Sequence, residues 1–264
     1  MPRLPLLLLL LLSLLAVAAQ GQEYEKVLVP ISLNQTLGAF GSVWHALLTI
    51  SNVSETPVSV GQRGSCITGP CTPPPIPPHA TVHEGVVPVS EVPASFLFVD
   101  KGRLDDVNIT IRTFDRSRLN RTWGATIPVV TRRDCFTGRF GINDIPAGND
   151  FRSSLRIYDF DAVTPGAVRV RIYRLAGFGP GTPVTATPDE LLATLEPGFT
   201  PPVSGGGTAG HPGYASIALS ALPELGGVER IRVEIEPLDT TGDYWAFVSA
   251  THNETQQVTI IAPR

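Results

Sequence analysis

Two stretches of this chain, 107 residues apart, carry the same alternating pattern and restrict the fold more than any other feature. They span 44–52 and 151–159, and each places an aromatic residue, a Leu, an Ile and a closing Asn or Asp at the same spacing. Apolar residues at every second position are typical of a β-strand with one buried face. The closing Asn52 and Asp159 favour turns, because their side chains can hydrogen-bond to nearby backbone.

Two further pairs of similar stretches indicate an internal repeat. Residues 27–31 resemble 127–130 at an offset of 100 residues, and the stretch from Ile109 resembles the stretch from Ile231 at an offset of 122 residues. The pairs follow the same order along the chain, so we expect an internal duplication.

Composition predicts an all-β chain, and the repeats divide it into two modules, 24–130 and 131–264. The 25 Gly and 25 Pro residues separate short runs of Val, Ile, Thr and Phe, and no stretch keeps a convincing helical period. This is typical of many short strands joined by turns, as in a sandwich of two antiparallel sheets. Trp123 and Trp245 each open a late strand of these modules, and we predict that both fill a core.

The N-terminal residues indicate an export signal. Arg3 provides a positive start, residues 4–15 form an apolar run, and residues 16–19 are small enough for cleavage. The apolar run is shorter than the roughly 20 residues of a membrane span. We predict a signal peptide at 1–19 and an exported protein, located in the periplasm, on the cell surface or outside the cell, without stable membrane insertion.

The charge of the chain argues against nucleic acid as a partner, because the formal net charge is −4. Residues 100–140 are an exception, with nine basic and five acidic residues. Four arginines crowd the part of this segment before Trp123: Arg112, Arg116, Arg118 and Arg121. Such a patch can bind an anionic polysaccharide or a lipid surface, although a solvated face with neighbouring Asp residues is the more ordinary interpretation.

The three cysteines predict one disulfide. Cys66 and Cys71 flank a Gly-Pro turn that can bring them together, and an exported protein can oxidise them. A zinc site is disfavoured, since zinc motifs usually supply a second cysteine pair. Cys135 is left over, and we expect a partly buried, unpaired thiol.

Residues 64–83 are predicted to form a protruding loop, because the proline-rich run at 73–78 is stiff and extended. His79, His83 and Glu84 lie close enough in sequence to suggest a metal site. The flanking prolines disfavour the helix that would place the two histidines on one face. We therefore expect solvated histidines that at most line a binding surface, and we predict no metal ion and no cofactor.

No catalytic residue is predicted. The nucleophile motif Gly-x-Ser-x-Gly is absent, and no His or Asp can be assigned to a particular Ser. Three acidic pairs resemble the paired carboxylates of glycoside hydrolysis: Asp105 with Asp106, Asp159 with Asp161, and Asp189 with Glu190. They adjoin turn residues, where capping and turn hydrogen bonds are the ordinary role of Asp.

Five Asn-x-Ser/Thr triplets begin at Asn34, Asn52, Asn108, Asn120 and Asn253. In a eukaryotic secretory pathway they would be glycan acceptors. The chain has eighteen Arg and only two Lys, a bias typical of a high-GC bacterial genome, so we interpret these residues as parts of turns and strands.

Three motifs together resemble those of exported tandem β-sandwich proteins of high-GC soil bacteria. They are the stretch from Gly38 to Asn52, the stretch from Phe151 to Leu155, and the stretch from Trp245 to Thr255. The resemblance covers nearly the whole mature chain, and its motifs are structural. It implies a tandem immunoglobulin-like build and an extracytoplasmic location, and it brings no known active site.

The sequence therefore favours an exported, non-enzymatic protein with a binding, adhesion or envelope-structural role. Its partner would be an extracellular protein or a polysaccharide. One alternative is a secreted carbohydrate-active enzyme or carbohydrate-binding protein. Another is a protease inhibitor that presents the 64–83 loop to its target.

Overall fold

The structure is a computed structural model that describes residues 24–33, 35–61, 75–84, 94–118, 124–160, 166–175, 189–202, 211–239 and 242–263. Strands make up 57% of it, and no helix within these ranges reaches seven residues. The prediction of an all-β chain with antiparallel sheets is therefore confirmed. The predicted signal peptide, the Cys66–Cys71 pair and Trp123 lie outside the described residues.

The first part of the chain forms two sheets from nine strands. The strands are β1 (Tyr24–Val29), β2 (Thr36–Leu37), β3 (Val43–Asn52), β4 (Val60–Gly61), β5 (Thr81–Glu84), β6 (Ser95–Asp100), β7 (Val107–Asp115), β8 (Ala125–Ile127) and β9 (Val130–Thr131). Sheet 1 has the order β4-β6-β1-β9, and sheet 2 has the order β2-β3-β7-β8, with β5 also paired to β3. All of these pairs are antiparallel.

The second part forms two sheets from eight strands. The strands are β10 (Phe140–Pro146), β11 (Phe151–Asp159), β12 (Val168–Arg174), β13 (Glu190–Leu195), β14 (Gly213–Ala218), β15 (Arg230–Pro237), β16 (Tyr244–His252) and β17 (Val258–Ile261). Sheet 3 has the order β14-β11-β16-β17, and sheet 4 has the order β10-β15-β12-β13. These pairs are also antiparallel.

Apolar and polar residues alternate along the strands, and the sheets pack in pairs through their apolar faces. In β15, Ile231, Val233 and Ile235 are fully buried, whereas the residues between them are charged and half-buried on the other face. Apolar residues of sheets 3 and 4 form one core, and those of sheets 1 and 2 form another. We call these pairs of sheets the second sandwich and the first sandwich.

The two sandwiches share a strand order, although not in the way that the sequence repeats suggested. The run β4-β6-β1 of sheet 1 corresponds to β12-β15-β10 of sheet 4, and β5-β3-β7-β8 of sheet 2 corresponds to β14-β11-β16-β17 of sheet 3. The stretches 44–52 and 151–159 are thus equivalent strands. The stretches from Ile109 and from Ile231 are not, because β7 lies beside β3 whereas β15 lies in the sheet opposite β11.

The first core extends into the second sandwich. Tyr158, Trp245 and Phe247 of sheet 3, and Phe160 directly after β11, are buried in the same cluster as the residues of sheets 1 and 2. The Tyr158 hydroxyl donates a hydrogen bond of 2.6 Å to the carbonyl oxygen of Pro30. The prediction that Trp245 fills a core is therefore confirmed, and the core in question joins the two sandwiches.

The prediction of a protruding loop over 64–83 is wrong for the part that the structure describes. Ile76 is only 4% exposed, and its backbone pairs with Val58 through N–O distances of 2.8 and 3.1 Å. Thr81–Glu84 forms β5 against β3. Prolines favour an extended backbone. Here the extended proline-rich segment packs along the edge of the sandwich, because the side chain of Ile76, between two prolines, is buried.

Candidate functional site

The arginines of the predicted patch lie in different local environments. Arg112 in β7 and Arg116 after it are exposed, while Arg121 lies outside the described residues. The Nε atom of Arg118 lies 3.6 Å from Oδ2 of the buried Asp115. Burial by itself would raise the pKa of Asp115, but hydrogen bonds from Ser117 and from the Val43 N–H outweigh it and lower the pKa. Arg118 is therefore part of a structural turn.

The predicted histidines lie in exposed positions with single polar neighbours. His79 Nε2 is 3.1 Å from a carboxylate oxygen of Glu55, and His83 Nδ1 is 3.2 Å from the Thr49 hydroxyl. Across the described residues, no group of three or more His, Cys, Asp or Glu is arranged to hold a metal ion.

Three acids of the predicted pairs form ion pairs. Asp106 pairs with Arg103 in the turn before β7. Asp189 lies 2.9 Å from Arg232, and Glu190 lies 3.1 Å from Arg174. Asp159 is buried at the end of β11, and Asp161 lies outside the described residues. The ion pairs give Asp106, Asp189 and Glu190 a structural role, whereas the sequence analysis assigned these acids to turn hydrogen bonds.

Asn52 has the turn role predicted for it and is buried. Its side-chain nitrogen donates to the carbonyl oxygens of Thr56 and Ile76 at 2.8 and 2.9 Å, and its oxygen accepts from the Ser54 N–H. The side chain is 1% exposed, so its amide is not accessible as a glycan acceptor in the folded chain. Cys135 is half-buried, and its thiol donates to the Thr131 carbonyl oxygen at 3.5 Å.

A cavity of about 480 Å³ lies between the two sandwiches. The first sandwich contributes Ile31, Ser32, Gln35, Thr36, Trp44, His45, Thr113 and Ile127, and the second contributes Arg156, Phe247, Ser249, Thr251, Val258 and Ile260. Because both sandwiches line it, this cavity is the best candidate for a binding site.

Strand register explains why these residues meet. Trp44 and Thr113 lie on the face of sheet 2 that also carries the buried Leu48 and Ile111. On sheet 3, Arg156 lies opposite Phe247 on the face that points away from the second core. The cavity therefore forms where the interior of the first sandwich opens and the outer face of sheet 3 closes it.

Trp44 is held in place by the turn that precedes it. Gly38 donates its N–H to the Ser42 carbonyl oxygen at 2.9 Å. A Cβ atom added at Gly38 would lie only 2.5 Å from the indole Nε1 of Trp44, so a side chain there would displace the indole. In the same turn, Phe40 is 68% exposed, and the Arg152 guanidinium lies 4.9 Å above its ring.

Arg156 dominates the electrostatics of the cavity. Its guanidinium carbon lies 5.8 Å from the centre of the Phe247 ring, and the group lies beside the Tyr158 hydroxyl. Burial raises the pKa of Tyr158 to about 12, partly offset by Arg156. The ion pairs of the described residues do not include Arg156, and the described lining contains neither Asp nor Glu.

The outer face of sheet 4 is a contrasting polar surface in which charges neutralise one another. Arg171 lies 3.1 Å from Glu234 and 2.8 Å from Glu236, and Arg139 lies 2.8 Å from Glu236. Arg169 completes the row through Glu196 at 2.8 Å. Among the residues that the structure describes, this face has no unmatched cluster of charge to attract a ligand.

The sequence analysis missed the cavity, although one signal for it was present. Residues 244–248 of β16 are continuously apolar and buried on both faces, a pattern typical of a strand covered on two sides. That pattern indicates that sheet 3 has a partner on its outer face. It does not indicate which residues of the first sandwich cover it.

No family model matches the chain, and neither a curated protein nor a solved structure shows significant similarity to it. Among the described residues, none of the helices has the length and apolar character needed to cross a membrane.

Proposed function

We propose that this chain is an exported, non-enzymatic binding protein of two β-sandwich modules, 24–130 and 131–264, with its ligand in the cavity between them. The cavity carries the proposal. Its volume of about 480 Å³ falls within the range of small-molecule sites, which are typically about 300–1,000 Å³. Its lining combines aromatic and aliphatic side chains with a few hydroxyl and amide groups, as such sites do.

The chemistry of the lining supports binding over glycoside hydrolysis. That reaction requires two carboxyl groups about 5–10 Å apart, and the described residues around the cavity supply none. The protease-inhibitor alternative is also less favoured, because in the described part of that loop Ile76 pairs with Val58 and residues 81–84 pair with β3.

The shared strand order supports our inference that the two modules arose by internal duplication of one immunoglobulin-like module. Kinship with exported tandem β-sandwich proteins, and export directed by residues 1–19, belong to the same proposal. In this arrangement the duplication created a ligand site at the junction, where each module alone would have an open surface.

Filling the cavity tests the proposal. We expect a screen of small molecules and glycans, with intrinsic tryptophan fluorescence as the readout, to identify ligands of the purified mature protein. Ser249→Trp places an indole in the cavity and is expected to abolish their binding. Thr194→Trp adds the same group on exposed β13 of sheet 4 and should leave binding intact. Binding that survives Ser249→Trp would exclude the cavity as the site.

A further inference from the structure

We propose that the cavity selects a small organic carboxylate with a ring-shaped body, whose carboxylate pairs with Arg156 and whose ring packs against Trp44. This inference rests on the proposed binding function and adds the chemical class of the ligand.

The charge of the cavity lining indicates that the ligand is an anion. Arg156 is the one arginine or lysine in the described lining, and that lining contains no acidic residue. His45, the other titratable group there, is engaged with Gln35 through an Nε2–Oε1 distance of 2.9 Å. The cavity therefore holds a permanent positive charge without an opposing carboxylate, and it favours anions over neutral or cationic ligands.

The position of Arg156 distinguishes it from the arginines of sheet 4. On sheet 4, Arg169, Arg171 and Arg232 each lie within 3.1 Å of a carboxylate. Arg156 instead lies half-buried over Phe247 and beside the Tyr158 hydroxyl. A guanidinium can bind a carboxylate through two parallel hydrogen bonds, and partial burial makes that attraction stronger than it is at an exposed site.

The uncharged part of the lining indicates what the rest of the ligand is like. Trp44 presents an indole that packs closely against the Gly38 backbone. Ile127 and Ile260 add aliphatic surface, and Ser249 and Thr251 place hydroxyls along β16. An aromatic face beside aliphatic groups and hydroxyls suits a flat ring with polar substituents.

Matched pairs of probes test the inference on the full mature chain. Each pair joins an acid with its neutral counterpart: benzoate with benzamide, and glucuronate with glucose. The first pair represents an aromatic ring and the second a sugar ring. Binding is measured by tryptophan fluorescence and by calorimetry at millimolar concentrations.

Two variants accompany the probes. Arg156→Gln removes the cavity charge, whereas Arg174→Gln removes the same charge from the exposed end of β12 on sheet 4, outside the cavity. We expect the acid of at least one pair to bind at least about ten-fold more tightly than its neutral counterpart, the value of one charged hydrogen bond. Arg156→Gln should abolish this preference, Arg174→Gln should retain it, and added salt should weaken it.

The outcomes separate this inference from the proposed function. Equal binding of acid and neutral probe, blocked by Ser249→Trp, would leave the binding function in place and overturn selection of carboxylates. A preference for acids that persists in Arg156→Gln would also overturn the inference. If none of the probes binds at millimolar concentration, the inference is overturned, and the broader ligand screen with Ser249→Trp decides the binding function separately.

Discussion

The two outer faces of the second sandwich use arginine in opposite ways. On sheet 4, Arg171 on β12 lies between Glu234 and Glu236 of the neighbouring β15. On sheet 3, Arg156 of β11 lies opposite Phe247 and lacks an ion pair with any described residue. Both positions follow the same alternation with buried aliphatic residues, so the strand pattern alone does not separate them.

The difference shows how each face is covered. On sheet 4, the named arginines form ion pairs with acidic residues on the same surface. Sheet 3 carries Tyr158, Trp245 and Phe247, which the first sandwich buries, and the region around Arg156 remains an open cavity. A face completed by packing and a face completed by ion pairs should therefore respond differently to substitution.

Trp245→Ala should have the largest effect of the substitutions on these faces. The indole is 4% exposed in the core that joins the two sandwiches, and removing a buried Trp side chain costs about 3–5 kcal/mol. The matched control on sheet 4 is Tyr173→Ala, which removes a half-buried ring beneath Arg232. We expect about 1 kcal/mol for it. Equal losses in urea unfolding would contradict the distinction between the faces.

The sequence could predict such faces only in part. Alternation correctly indicates β3 and β11, and Trp245 is correctly predicted as a core residue. Alternation does not show that β7 and β15 belong to non-equivalent sheets, because both strands carry the same apolar residues at every second position. Short alternating runs specify a strand without specifying its partner.

The cavity depends on long-range placement that no local pattern contains. Arg156 and Trp44 are separated by more than one hundred residues of chain, and they meet only because sheet 3 packs across the open end of the first sandwich. The ion pairs of sheet 4 likewise depend on register, since a slip of one residue would turn every charged side chain inward. The sequence nevertheless contains the hint in β16, whose apolar run indicates a strand covered on both faces.

Tyr158→Phe should have an intermediate effect at the junction of the sandwiches. It removes the buried hydrogen bond of 2.6 Å to Pro30 and leaves that carbonyl without this donor, at a cost of about 1–2 kcal/mol. The pKa of Tyr158, raised by burial from 10.0 to about 12, adds a second expectation. A raised phenol pKa stabilises the folded chain below the unfolded value, and this contribution is lost as pH rises through the folded value.

Alkaline unfolding measures that second expectation. The wild-type chain should lose stability between about pH 10 and about pH 12, and Tyr158→Phe should lose less over that interval. Part of the loss should remain in the variant, because burial and the hydrogen bond to Asp239 also raise the pKa of Tyr244. Identical alkaline profiles for the two proteins would contradict the assignment to Tyr158.

Glu236→Gln should have the smallest effect, because exposed ion pairs contribute little to stability. The hydrogen bond from Arg139 holds the pKa of Glu236 below its usual value of 4.5, burial opposes this, and Arg171 reinforces it. A lowered carboxyl pKa stabilises the fold above the usual value, and the contribution is lost as pH falls through the lowered one. The stability difference between wild type and variant should thus be constant near neutral pH and vanish in acid.

Urea midpoints from about pH 7 down to about pH 3 follow this difference, with and without added salt. Glu224→Gln, at an exposed turn position, controls for the loss of one carboxylate. A difference that persists in acid would mean that Glu236 acts through packing. Sheet 4 would then resemble sheet 3, and the contrast between a face completed by ion pairs and one completed by a neighbour would no longer hold.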